Sequence, residues 1–237
     1  MKRLIRKLVE EQKAGQAPGK LELVDTSWGD FLDYLEELRF EEFPDKIPEL
    51  RDNYEKAVRL ASMGWTERRE MPVINEDDVK DLQKRLRYGD IDVRDPWHET
   101  TDPKDPYPEG LSGEEAEIFL NRGLWDGDPE GDRVDVDIVT KRVGDMIPIQ
   151  EQIYVDKSVD NIAKFGVDST IDFLTCKDNY FITSNDDYIL DGHHRFLSGI
   201  LINPDLNVQS LEIELPITKL LPLLRAYSDA VGNPRNL

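Results

Sequence analysis

The sequence predicts an α+β protein: a mainly α-helical, acidic N-terminal region followed by a compact C-terminal domain of short strands and helices. Three observations predict it. Up to about residue 95, apolar side chains recur at three- and four-residue spacing, the pattern of amphipathic helices. From Val134 onward, short apolar runs alternate with short amphipathic stretches, as in a small mixed domain. Between the two lie Pro96, Pro103, Pro106, Pro108 and Pro129 among Asp, Glu and Gly, a composition that suits a surface connector. The chain therefore divides into a helical region (1–95), an acidic connector (96–133) and a C-terminal domain (134–237).

The elements follow in order. MKRLIRKLVEEQKAG puts Leu4, Ile5, Leu8 and Val9 on one face of a short helix, and its charges interrupt the apolar run that a secretory signal needs. A Thr26/Ser27 cap precedes Phe31, Leu32, Leu35 and Leu38 at helical spacing, and a similar pattern runs from Ile47 to Leu60. Asn75 caps a helix over 76–87 with Val79, Leu82 and Leu86 inward and Gly89 as its stop. One short helix, around Glu114–Asn121, interrupts the connector. Beyond it, DVDIVTKRV and DMIPI read as strands, SVDNIAKF as a helix ended by Gly166, and YFITSNDDYIL as a hairpin turning at Asp186–Asp187. A helix starts near His193, LEIELP is a further strand, and TKLLPLLRAYSDAVG closes as a helix with Pro222 near its first turn.

Composition narrows the functional classes. The chain carries 30 Lys plus Arg against 50 Asp plus Glu, a formal net charge of -20, and its first 140 residues hold 21 of the basic and 36 of the acidic side chains. Such a surface repels a phosphate backbone at long range, so extended DNA binding is not expected. An acidic helical region suits docking to a basic protein partner. No apolar stretch approaches the ~20 residues that span a bilayer, so no membrane partner is expected. The single cysteine, Cys176, permits no internal disulfide and fits a reducing, cytosolic setting.

The segment richest in chemistry is Tyr188-Ile189-Leu190-Asp191-Gly192-His193-His194-Arg195-Phe196-Leu197. An apolar strand enters a glycine turn, and the next residues open a helix with two imidazoles and a guanidinium. A helix N-terminus carries partial positive charge, glycine lets an anion approach the main chain, and Arg195 can fork onto phosphate oxygens. Together they predict a phosphate cradle. The plainer reading is that Asp191 caps the helix while the histidines pack or face solvent.

At these residues the chain resembles the ParB/sulfiredoxin superfamily, whose phosphate-binding motif sits at this strand-to-helix turn. The form Asp-Gly-His-His-Arg is most similar to the branch of ADP-dependent free-serine kinases and phage proteins labelled ParB-like nucleases. The resemblance covers roughly residues 142–215, including Met146-Ile147-Pro148-Ile149-Gln150, the helix ending at Phe165-Gly166 and the strand at Phe181–Ser184. PIQEQIYVDKSVDNIAKFG and RAYSDAVGN resemble proteins of tailed phages, which implies the host cytoplasm or a virion as the setting. The resemblance implies that Asp191, Gly192, His193, His194 and Arg195 hold nucleotide phosphates, with Asp191 capping the helix or positioning Mg²⁺. It implies ATP, ADP or another nucleotide with Mg²⁺ as cofactor. Phosphotransfer or NTP hydrolysis would then rest on Arg195, His194 and Mg²⁺ neutralising charge. Lys157, at the start of the following helix, would add a phosphate contact or stay solvated.

The departures from that family matter. Where the serine kinases carry a catalytic Glu, two residues after the strand's proline, this chain has Gln150; Glu151 is adjacent and is the candidate base. No cysteine stands beside the His-Arg pair as in sulfiredoxins, and no basic helix-turn-helix follows as in the DNA clamps. A non-catalytic virion-associated or host-interaction protein, or a nuclease, stays open as an alternative.

Asp126-Gly127-Asp128-Pro129-Glu130-Gly131-Asp132, continued to Asp137, nearly follows calcium-loop spacing. Glu130 at position five, the short Asp137 at position twelve and a strand-like continuation make it read as a solvated acidic loop. His98, beside Trp97 in the connector, reads as structural or exposed.

Overall fold

The computed structural model describes residues 21–40, 43, 47–95, 107–108 and 110–233. The expected N-terminal amphipathic helix, most of the Pro-rich connector, Trp97 and His98 lie outside the described residues. Among the described residues are eight α-helices: α1 Trp28–Glu37, α2 Leu50–Ala61, α3 Glu76–Tyr88, α4 Gly113–Trp125, α5 Val155–Phe165, α6 Val167–Leu174, α7 His193–Ile202 and α8 Ile217–Ala230. Five strands, β1 Val136–Arg142, β2 Ile147–Pro148, β3 Tyr180–Ser184, β4 Tyr188–Asp191 and β5 Asn207–Ile213, form one sheet in the order β1-β5-β3-β4-β2. The protein is therefore α+β, as its sequence predicts.

The chain gathers into two compact units, each built from separate stretches. One comprises the described residues up to Thr66 with 139–181 and 192–210; the other comprises the described residues of 67–138, together with 182–191 and the described residues from Leu211 onward.

In the first unit α7 is the central helix. Phe196 through Ile202 are all buried, so beyond its first turn it is enclosed on every side, and it packs against α2, α5 and α6. Each large aliphatic or aromatic side chain fully buried this way contributes about 1.5–3 kcal/mol. Asn53 on α2 donates to the Leu201 carbonyl (3.1 Å), and Tyr54 donates to the Thr26 carbonyl (2.6 Å). The α1 start is the expected cap: the Asp30 N–H donates to Ser27 Oγ and the Ser27 N–H donates back to the Asp30 carboxylate. Phe31 and Leu35 are buried as expected, but Leu32 is exposed, because the buried stripe of so short a helix is narrower than its apolar stripe.

In the second unit α3 follows its sequence closely, with Asn75 at the N-cap, Val79, Leu82 and Leu86 buried, and Gly89 left-handed at φ 72°. α4 packs against α8 and is longer than the expected 114–121. Tyr227, fully buried on α8, lies within hydrogen-bond reach of the Asp78 carbonyl (2.9 Å) and Asp81 (3.0 Å). The hairpin turns at Asp186–Asp187 as expected: Asp187 is left-handed (φ 67°), and β3 pairs antiparallel with β4 through Ile182 with Asp191 and Thr183 with Ile189.

Four expectations about element bounds change. β2 is only two residues long, and β5 begins at Asn207, ahead of the apolar run. α6 follows Gly166 directly, so that glycine joins two helices as well as ending one. Pro222 lies inside α8 beyond its first turn, because the helix begins at Ile217 behind Pro216. No helix among the described residues is long and apolar enough to cross a membrane.

Candidate functional site

The strand-to-helix turn is built as its sequence suggests. β4 ends at Asp191, Gly192 adopts φ 110°, ψ 16°, and α7 begins at His193. Glycine is required here for two reasons: the backbone is left-handed, and a Cβ would meet Phe181 Cδ1 at 2.5 Å. Gly192 is itself the N-cap and has no side chain to cap α7, and Asp191 ends the strand exposed. The N-cap position is thus held by Gly192, one residue after Asp191.

The two imidazoles hold the loop that leaves β2. His193, 5% exposed, accepts at Nε2 from the Gln150 N–H (3.3 Å). His194 accepts at Nε2 from the Tyr154 N–H (3.2 Å), and its ring lies nearly parallel to that of Tyr154, 9° between planes with centroids 6.0 Å apart. An imidazole nitrogen that accepts is unprotonated, so this pattern puts the ring proton of each neutral histidine on Nδ1. Both histidines thus work as anchors for residues 150–154.

Main-chain pairing fixes both edges of that loop. The Trp65 and Thr66 N–H groups donate to the Ile149 carbonyl, and the Glu151 N–H donates to the Thr66 carbonyl (2.9 Å). On the other edge the Leu23 N–H donates to Ile153 (2.8 Å) and the Val155 N–H to Leu21 (2.7 Å). Gln150 is buried and its side-chain amide turns back onto the Gln152 carbonyl. Glu151 is half-buried near Glu22, whose carboxyl is raised above its ordinary value by burial first, then by Asp25 and Glu151. Lys157, in the first turn of α5, has its Nζ 5.7 Å from the Tyr154 ring centroid.

Arg195 turns to the other neighbour of the turn. Its guanidinium donates to Asn179 Oδ1 (2.5 Å) and the Tyr180 carbonyl (3.0 Å) and lies 5.0 Å from the Phe181 ring centroid. It braces β3 against the start of α7.

His193 and His194 thus tie Gln150, the neighbour of Glu151, and Tyr154, whose ring lies beneath Lys157, to the start of α7, whereas Arg195 turns to β3. Asp191 belongs to no group of three or more potential metal ligands among the described residues. That does not disqualify it beside a nucleotide, since Mg²⁺ bound to phosphates needs only one or two carboxylates. Sequence reasoning missed Tyr154, Asn179 and the pairing partners Leu21, Leu23 and Thr66. Only the aromatic character of Tyr154 at a helix start was available as a local signal.

No protein-family model, no curated protein sequence and no solved structure matches the chain.

Proposed function

We propose that the chain binds a nucleotide through its phosphates at the Gly192–Arg195 turn, on a ParB/sulfiredoxin-like domain formed by 134–237. In this reading it is an ATP- or ADP-dependent phosphotransferase or NTPase that uses Mg²⁺. The observation that carries the reading is the double anchoring of residues 150–154 by His193 and His194. It ties the loop bearing Glu151, and through Tyr154 the Lys157 ammonium, to the positive end of α7. Main-chain N–H groups, Arg195 and Lys157 would hold phosphate oxygens, Asp191 would share Mg²⁺, and Glu151 would take the acceptor's proton. His194 would keep the loop in register, and rate would come from positioning and charge neutralisation.

The test is a thermal-shift series with ATP, ADP and CTP, with and without Mg²⁺, on wild type and Arg195→Ala. A shift that needs Mg²⁺ and shrinks in the variant is expected. The absence of a nucleotide-dependent shift in wild type sinks the proposal.

A second reading is a non-catalytic virion-associated or host-interaction protein, meeting a basic protein partner through its acidic N-terminal region. The commitment of both Nε2 atoms and of Arg195 to main-chain and side-chain partners favours it. A nucleotide shift without hydrolysis or transfer decides for this reading. A nuclease requires plasmid cleavage that disappears in His194→Ala.

A further inference from the structure

Three carboxylates converge in the second unit from separate stretches of chain. Asp92 follows α3, Asp126 is the C-cap of α4, and Asp132 lies in the turn before β1. One oxygen from each lies within 4.8 Å of the other two. Asp126 faces solvent, whereas Asp92 and Asp132 are 5% and 1% exposed.

Acidic side chains cluster on many surfaces without consequence, and what sets this group apart is Asp132. Both of its carboxylate oxygens are buried, and neither accepts a hydrogen bond. Its carboxyl is pushed up to about 6, by burial first and then by the negative charges of Asp92 and Asp126. The Arg94 guanidinium and the Val93 main-chain N–H favour the charged form, yet neither makes a hydrogen bond of normal geometry to it. The nearby arginines are otherwise engaged, Arg94 with Asp128 (2.8 Å) and Arg122 with Asp95 (2.8 Å) and, at 3.4 Å, with Asp92. Five carboxylates thus face two guanidiniums, and Asp126 adds its charge at the negative end of the α4 dipole. A buried carboxylate left in that state destabilises the fold unless something compensates it.

We infer that Asp92, Asp126 and Asp132 bind one calcium-sized divalent cation. An all-carboxylate set is a hard-oxygen site, suited to Ca²⁺, Mg²⁺ or Mn²⁺ over softer metals. One oxygen from each carboxylate lies within 4.8 Å of the other two, close enough for a single cation to bridge all three. Mg²⁺ demands near-ideal octahedral geometry and gives up its water reluctantly, whereas Ca²⁺ accepts an irregular oxygen set such as two buried carboxylates and one exposed. The open side at Asp126 admits water to complete the shell. This is not the calcium loop hinted at by 126–137: its third and twelfth positions, Asp128 and Asp137, pair with Arg94 and Arg87, and Asp137 lies within β1. The cation would tie the end of α4, the segment after α3 and the entry to β1 together.

The test uses chelator-treated full-length protein without nucleotide, so its outcome is independent of the phosphate site. CaCl₂ and MgCl₂ are titrated while Tm is followed, with KCl as the ionic-strength control. Calcium at about 10 mM should raise Tm by about 5 °C or more, and magnesium by clearly less. Asp132→Asn should abolish the response, the exposed Asp126→Asn should weaken calcium affinity at least about tenfold, and Asp137→Asn should change nothing. Without metal, Asp132→Asn should melt no lower than wild type, because it removes an uncompensated charge. Four results would overturn the inference: no calcium response in wild type, a full response in Asp132→Asn, an equal response to magnesium, or a response lost in Asp137→Asn.

Discussion

Gly192→Ala perturbs the turn on which the proposed phosphate site depends, and its cost can be worked from two separate contributions. At φ 110° an L-residue bears at least the left-handed penalty, about 1–2 kcal/mol. The added Cβ would also meet Phe181 Cδ1 at 2.5 Å and Cε1 at 2.9 Å. Phe181 is fully buried beneath the Arg195 guanidinium, so the ring cannot withdraw without disturbing that contact, and overpacking adds about 1–3 kcal/mol. The total is about 2–5 kcal/mol, or a fall in Tm of roughly 5–15 °C for a chain of this size. Urea denaturation followed by circular dichroism measures it. Gly127→Ala is the matched control, because its φ of 89° carries strain while nothing lies within 4 Å of the added methyl. The Gly192 loss should exceed the Gly127 loss by the packing contribution. Equal losses, or a Gly192 loss below about 1 kcal/mol, would refute the close-approach argument.

Other substitutions probe the remaining supports. Tyr227→Phe removes a buried hydroxyl that reaches the Asp78 carbonyl and Asp81, and should cost about 1–2 kcal/mol in urea; an unchanged midpoint would contradict the contact. His194→Phe keeps the ring face but removes the acceptor at Nε2, so amide exchange at Tyr154 should quicken roughly tenfold while exchange in α3 stays unchanged. Uniform acceleration across both units would instead indicate global destabilisation. The Asp30 carboxyl is held below its ordinary value chiefly by the Ser27 hydroxyl, then by the Ser27 N–H. A depressed carboxyl stabilises above the ordinary carboxylate range, and that contribution is lost as pH falls through its folded value. Ser27→Ala should therefore raise the Asp30 pKa by NMR titration, and the stability gap to wild type should narrow on acidification; a widening gap contradicts this.

Local chemistry made much of the fold legible. α3 could be read completely because its cap, its three inward positions and its stop all lie within fifteen consecutive residues, and the β3–β4 hairpin declared itself through Asp186–Asp187. α6 was hidden because Gly166 reads as a terminator, and nothing local says that the chain re-enters a helix at once. The start of α8 was displaced because Pro222 argues for a first turn, whereas surrounding packing tolerates it deeper in the helix. At the candidate site the glycine turn and its histidines were visible, but the work of those histidines was not. Their acceptors meet Gln150 and Tyr154, some forty residues earlier, and only tertiary pairing with Thr66 and Leu23 brings that loop within reach. The same limit applies to Asp92, which no spacing within the 126–132 loop could have connected to Asp126 and Asp132.

The central claim is that the Gly192–Arg195 turn holds nucleotide phosphates, and calorimetric titration of ATP and ADP into the full chain, with and without Mg²⁺, tests it most directly. Saturable one-site binding is expected, tightened by Mg²⁺ and weakened several-fold in Lys157→Gln. Heats indistinguishable from dilution for both nucleotides, or binding untouched by Lys157→Gln and Arg195→Ala alike, would contradict it.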